Sequence, residues 1–313
     1  MRVYLFRRLL ATIPVMGVVA LFVFALLHLT PGDPAAVIAG DYATAEDIAR
    51  IHRQLGLDRP LYLQFGAWLG QLLRGDLGTS IFSRLPVTRL IGQRLEPTVV
   101  LSITTLLIAV LLAVPLGILA AWRARTWVDR SVMGFAVFGF SIPVFVLGYL
   151  LIYLFAIQLD WLPVQGYVSL DRGLGPCLRS ILLPSLALGT VYMALIARIT
   201  RASVLEVLGE DYIRTAHAKG LAAPAVLVSH ALKNAAVPIV TIVGIGLTLL
   251  IGGVVITESV FALPGIGRLT VDAILRRDYP IIQGVILVFS GVYVLVNLLI
   301  DVAYTFLDPR IRY

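Results

Sequence analysis

The sequence predicts an all-α integral membrane protein with six transmembrane helices and both termini in the cytoplasm. Three observations carry this. The 313 residues are 59% hydrophobic and only 14% charged, with a mean hydropathy of +0.94, whereas a soluble domain carries about a quarter charged residues. Six apolar runs, at about 9–29, 98–121, 132–156, 181–199, 236–256 and 281–306, match the ~20 residues that cross a ~30 Å hydrocarbon core as helix. Helix is required because lipid offers no partner for a backbone N–H or C=O. Finally, Lys and Arg sort by side: thirteen fall with the termini and the loops on their face, from Arg2, Arg7 and Arg8 to Arg310 and Arg312. The short loops of the other face hold five, Arg172, Arg179, Arg268, Arg276 and Arg277. An excess of basic residues marks the cytoplasmic face.

Taken in order, the first run follows a basic start, "MRVYLFRRLL", as a secretory leader does. It is long enough to span and no small-residue cleavage site follows, so it is expected to be a retained helix. Residues 1–97 then comprise this span and an extracytoplasmic segment. Within that segment, "LYLQFGAWLGQLL" at 61–73 places Leu61, Phe65, Trp68, Leu69 and Leu72 near helical spacing between Pro60 and Gly75. It predicts a short amphipathic helix, packed on the bundle or lying at the lipid interface. Residues 98–313 form a core of five spans with a cytoplasmic loop at 200–235.

That loop contains "EDYIRTAHAKGL", Glu210 to Leu221. Asp211 suits the N-cap of a short helix starting at Tyr212. His217 and Lys219 suit its negative end, and Gly220 suits a C′ position of positive φ. Pro224 fits the first turn of a second helix that leads through Pro238 into the fifth span. A connector between helices is usually two to eight residues. This one is about 35 and projects a rigid helix with small residues, Ala216 and Ala218, which suits docking into a groove on another protein.

Several chemistries lack their residues. The chain has one cysteine, Cys177, so no intramolecular disulfide and no multi-cysteine metal site is expected. Lys+Arg number 25 and are spread along the chain without a nucleic-acid module. No G-x-x-x-x-G-K-[ST] loop occurs, and the two lysines are Lys219 and Lys233. No His precedes a Glu as in H-E-x-x-H, and "GFSIP" and "FSGV" fail the G-x-S-G pattern of an intramembrane serine protease. The four histidines are scattered across both faces. The chain is therefore expected to be non-catalytic and to bind no metal or cofactor. An ion-gradient-driven transporter wants acidic residues in mid-membrane. Only Asp301 falls within an expected span, four residues after Asn297, and the pair reads as a structural polar contact that fixes the last span. Hydroxyls at Thr104, Thr105, Ser141, Tyr153, Thr190, Tyr192, Thr241 and Thr248 are candidates for a polar, uncharged path, although each can bond its own helix instead.

The stretch "EDYIRTAHAKGLAAPAVLVSHALKNAAVP" resembles the cytoplasmic motif of ABC-transporter permease subunits, in particular the dipeptide, oligopeptide and glutathione importer branch of bacteria. Further marks of that branch occur in order: "LTPGDP" at 29–34, "LGLDRPLYLQF" at 55–65, "GDLGTS" at 75–80, "SIPVF" at 141–145, "ILLPSLALG" at 181–189, "LPGIGRL" at 263–269, "RDYPIIQG" at 277–284 and "DPRIRY" at the end. Arg214 and Thr215 stand where the general motif has Glu and its first Ala, and Ala216 matches the second Ala. The resemblance covers nearly the whole chain and implies a type I importer permease of the inner membrane. It implies a coupling helix, with Asp211, Tyr212, Arg214, Thr215, Ala216, Lys219 and Gly220 at the contact with a cytoplasmic ATPase subunit. It also implies a second homologous permease, two ATPase subunits that hold ATP and Mg, and an extracytoplasmic binding protein that selects the cargo. Small peptides are the expected class, with nickel chelates or opines as the alternative within the family.

Overall fold

The computed structural model describes residues 2–29, 35–36, 44–55 and 58–307. Apart from an isolated antiparallel bridge between Thr79 and Pro86, the described residues form helices and turns. They are α1 (Arg2–Leu29), α2 (Ala45–Leu55), α3 (Leu61–Leu73), α4 (Val87–Trp122), α5 (Trp127–Ser141) and α6 (Val144–Leu151, continued by a π-helical stretch, Ile152–Gln158). Then come α7 (Leu174–Leu208), α8 (Asp211–Ala218), α9 (Ala223–Val226, continued by a π-helical stretch, Leu227–Ala231), α10 (Leu232–Val260), α11 (Ile266–Arg276) and α12 (Tyr279–Leu307).

Among the described residues, five helices are long and apolar enough to cross a membrane, and six spans result if α5 and α6 count as one. The run at 132–156, expected as a single helix, is a broken pair bent by 103°. Pro143 is the cause. The residue before a proline is pushed out of the α region, and Ile142 sits at φ −88, ψ 127 in extended conformation. Elsewhere the helices outrun the apolar runs that announced them. α4 starts eleven residues before the expected 98 and runs through Pro97 and Pro115. α7 extends the expected 181–199 at both ends. Hydropathy marks only the stretch that lipid rewards, while the hydrogen-bond ladder continues into the polar flanks. At 36 residues α4 is about 54 Å long, well beyond a ~30 Å core.

The chain divides into two compact units. Of the described residues, the first comprises 97–264 and 296–307. α7 is its centre, buried at positions from Cys177 to Val204, and packs against α5, α6 and α10. Leu101 of α4, Ile181, Leu188 and Ile196 of α7, and Leu250 and Val254 of α10 share one core, closed at the α10 end by Phe261 and Leu263. Gly244 of α10 has Ile300 of α12 so near that a Cβ there would lie 2.5 Å from its Cδ1. A small residue here permits close helix approach.

The second unit comprises residues 2–96 and 265–295. α3 has the expected bounds, between Pro60 and Gly75. It touches α1 through two aromatic side chains while Leu61, Tyr62, Leu63 and Leu73 remain exposed. Phe65 and Trp68 lie 5.3 and 5.8 Å from the Phe24 ring of α1, centroid to centroid. α11 lays Ile266, Leu269 and Ala273 against Val87, Ile91, Ile281 and Val285. It ends at Arg277 in left-handed conformation. Next to that turn, the buried Asp278 carboxylate accepts the Ser80 hydroxyl at 2.6 Å and the Ile81 N–H at 3.3 Å.

Candidate functional site

The polar hairpin between the fourth and fifth spans is built from α8, a tight turn and α9. α8 starts one residue earlier than expected. Glu210 holds the N-cap position in extended backbone without a side-chain cap, and Asp211 is the first helical residue. The Asp211 carboxylate lies 3.3 Å from Arg214 Nη1 instead, both side chains being exposed. Such a pair contributes little. The Thr215 hydroxyl donates to the Asp211 carbonyl at 3.0 Å.

The end of α8 follows the expected chemistry. Lys219 is the C-cap, and Gly220 follows at φ +83. The Gly220 N–H donates to the His217 carbonyl at 2.9 Å and the Leu221 N–H to the Ala216 carbonyl at 3.3 Å. These two bonds are the Schellman pair, which satisfies the last carbonyls of a helix when C′ adopts positive φ. Pro224 falls in the first turn of α9.

α8 has two faces. Ile213 and Ala216, three residues apart, are buried with Val204 of α7, Ala121 of α4 and Val226, Leu227, Ala231 and Ala235. Asp211, Tyr212, Arg214, Thr215, His217, Ala218 and Lys219 are exposed, as is Gly220 in the turn. Ala216, expected at a partner contact, is buried in this apolar cluster. Its small side chain faces inward at the register of Ile213, and α8 sits close on the helix ends. Tyr212 is 42% exposed, yet its hydroxyl accepts from Asn234 Nδ2 at 2.9 Å, and the same nitrogen donates to the His230 carbonyl at 2.9 Å. The two arms of the hairpin are therefore braced by an apolar seam and a polar strut.

The exposed face lies among cations. Arg123, Arg125, Arg130, Arg198, Arg214, Lys219 and Lys233 are exposed on the adjoining ends of α4, α5, α7 and α10 and on the hairpin. One carboxylate in this neighbourhood is buried. Asp129 in the first turn of α5 receives Arg201 of α7 in a two-pronged pair, Nε at 2.5 Å from Oδ1 and Nη2 at 2.7 Å from Oδ2. Its Oδ2 also accepts the Arg125 N–H at 2.9 Å. The partners are 72 residues apart, so no local spacing announces them.

Four of the eight hydroxyl candidates are turned back onto their own helices. Ser141 donates to the Val137 carbonyl at 2.8 Å, Thr190 to Leu186 at 2.7 Å, Thr241 to Val237 at 2.7 Å and Thr248 to Gly244 at 3.3 Å. Tyr192 is buried in the first unit's core, while Tyr153 is 56% exposed. Ser141 borders a cavity of about 310 Å³ between α5 and α7, with Met133, Val137, Phe140 and Leu195 among its walls. Its lining is mostly apolar but includes Arg198 beside Ser141. Thr105 is fully buried with its hydroxyl unpartnered. Asn297 is half-buried and Asp301 buried on α12.

A further carboxylate escaped the sequence reading. Glu258 is completely buried near the end of α10 and accepts the Thr98 hydroxyl at 2.5 Å. The apolar run of the sequence stops at 256, two residues short of Glu258. The helix continues to Val260.

Comparison with known proteins places this geometry. The profile described as "Binding-protein-dependent transport system inner membrane component" matches residues 113–313, and "Binding-prot-dependent transport system membrane comp, N-term" matches residues 1–102. The chain is 56% identical over 313 residues to the "Probable peptide ABC transporter permease protein" of Sinorhizobium fredii, all of both chains being covered. It is 46% identical over 311 residues, 99% of each chain, to the glutathione transport system permease protein of Escherichia coli. A chain of the inward-facing MetNI methionine ABC transporter shares the fold at a TM-score of 0.59 and 16% identity, over 71% of this chain and 97% of that one. With both profiles matched and relatives aligned end to end, the chain belongs to the binding-protein-dependent transport system inner membrane components, the permease subunits of ATP-driven importers of the bacterial inner membrane.

Proposed function

We propose that this permease subunit translocates small peptides, di- or oligopeptides or glutathione-like, delivered by an extracytoplasmic binding protein. Two ATPase subunits drive it through the hairpin at 211–220. The observation that carries the coupling role is the hairpin itself: a short stiff helix, closed by a Schellman turn at Gly220 and anchored on its inner face by Ile213 and Ala216. Its outer face offers Arg214, Thr215, His217 and Lys219. A lever needs rigidity inside and a free contact surface outside, and the hairpin has both. The full-length likeness to a peptide permease and a glutathione permease supports the cargo class.

In this reading both termini and the hairpin are cytoplasmic, and the chain carries no catalytic step. ATP and Mg are held by the ATPase partners, and a second, related permease completes the pathway. The test is uptake into proteoliposomes containing this chain with its neighbouring permease, ATPases and binding protein. Labelled dipeptide should accumulate only with internal ATP and persist when an uncoupler collapses the ion gradient. Uptake abolished by the uncoupler at constant ATP overturns the ATP-driven reading. Uptake of a nickel chelate or an opine in place of peptide overturns the cargo.

A further inference from the structure

We infer that the Asp129–Arg201 pair is a clasp that makes α5 move with the coupling hairpin, so that Asp129 and Arg201 are positioning residues for the transport stroke. The inference rests on the reading of residues 211–220 as the ATPase contact.

It begins with what the sequence supplies. Between Glu96 and Asp160 the chain has one acidic residue, Asp129, among Arg123, Arg125 and Arg130. Three local cations are within reach in sequence, yet the carboxylate pairs with none of their side chains. It takes the Arg125 backbone N–H at 2.9 Å and turns both oxygens to Arg201, 72 residues on. Arg125 holds φ +66 where it donates that bond, a conformation that non-glycine residues seldom adopt. The carboxylate side chain is 7% exposed and the guanidinium side chain 25%. A two-point fork fixes orientation as well as distance, which a single contact or an apolar patch does not.

The surroundings give the clasp its use. Arg201 stands three residues before Val204, which packs with Ile213 and Ala216 of α8 and with Ala121 at the end of α4. Ala121 lies in the last turn of α4, ahead of the turn that delivers Asp129. The inner face of the hairpin, the end of α4 and the end of α7 thus form one packed block. α5 packs along α7 as well, and at its first turn the short connection from α4 and the clasp add a directional fix to that packing. At its far end α5 stops at Ser141, and the chain bends by 103° before α6. A push on α8 carried through α7 is handed to α5 at Asp129, and the break at Ile142–Pro143 absorbs the difference from α6. Without the clasp the start of α5 keeps its packing on α7 but loses the two-point fix that sets its register against it.

A buried ion pair is a poor source of stability and a good source of registry, and the test exploits that difference. The complete importer is reconstituted with Asp129→Asn, with Arg201→Lys, and with the exchanged pair Asp129→Arg plus Arg201→Asp. Assembly with the partner subunits, ATP hydrolysis and peptide uptake are measured together. The expected result for Asp129→Asn is normal assembly, retained hydrolysis and at least a tenfold fall in peptide moved per ATP. Arg201→Lys, which keeps the charge but loses the fork, falls between that variant and the parent. The exchanged pair recovers at least a third of the parent ratio. The clasp is overturned if Asp129→Asn keeps the ratio within twofold, or if it fails to assemble, which would make the pair purely structural. Gly220→Val serves as the control for the underlying reading. If Gly220→Val uncouples and Asp129→Asn does not, only the clasp falls. If neither uncouples, the hairpin is not the ATPase contact.

Discussion

Gly220 shows how much one residue decides. At φ +83 it occupies a region where a Cβ crowds the following carbonyl, at a cost of about 1–2 kcal/mol. Nothing lies within 4 Å of the position a Cβ would take, so the cost of substitution is in the backbone and not in packing. Gly220→Val, with its branched Cβ, should therefore open the Schellman turn while leaving the spans inserted. Peptide uptake in proteoliposomes should fall while ATP hydrolysis continues. Gly220→Asn, whose side chain tolerates left-handed backbone, should stay near the parent, and Gly220→Ala should lie between. Equal uptake by all three would mean that the corner carries no function. Thr98 permits a second test at this scale. Its hydroxyl is 2.5 Å from the buried Glu258 carboxylate, and Thr98→Val removes that donor at nearly constant volume. A loss of about 1 kcal/mol is expected, read as a lower melting temperature of the detergent-solubilised subunit. An unchanged melting temperature would show that the bond is not needed to hold α4 to α10.

At the scale of elements, the hairpin owes its stiffness to its inner face. Ile213 is 2% exposed, and Ile213→Ala should cost about 2–5 kcal/mol of packing. Because the seam is local, the loss should appear as faster amide exchange over 211–218 while α7 keeps its protection. Uniformly faster exchange in α7 as well would mean that the hairpin is not a separate element. Sequence made this element legible through Gly220 and Pro224, whose backbone demands are local. The inward pair Ile213 and Ala216 was less legible, because an isolated apolar residue on a polar helix does not declare which neighbour it meets. The same contrast holds across the chain. Long apolar runs revealed the spans, since lipid imposes their length. The bend after Ser141 stayed hidden, although "SIPVF" was visible, because a 25-residue apolar run reads alike whether straight or broken. Asp129 with Arg201 and Thr98 with Glu258 stayed hidden for another reason: they join residues 72 and 160 apart, and only the packed helices bring them together.

For the whole molecule the open physical question is which face of the membrane receives the hairpin, and one helix frames it. Between the turn at Gly220 and α11 the chain passes through α10, 29 residues and about 44 Å of helix, ample to cross a ~30 Å core. The hairpin and α11 should therefore meet opposite compartments, with the hairpin inside because exposed Arg123, Arg125, Arg130, Arg198, Arg214, Lys219 and Lys233 gather on its side. The chain is suited to a labelling test without removing its native thiol. Cys177 is fully buried and its Sγ contacts the Tyr167 hydroxyl at 3.7 Å, so it should stay silent toward a membrane-impermeant maleimide. Leu275→Cys on α11, where the native side chain is 78% exposed, should label in intact spheroplasts. Arg214→Cys should label only in inverted vesicles. Labelling of both from one side would mean that α10 does not cross. Exchange of the two results would turn the molecule over, and the hairpin would then face a compartment without ATP, where no ATPase could push it.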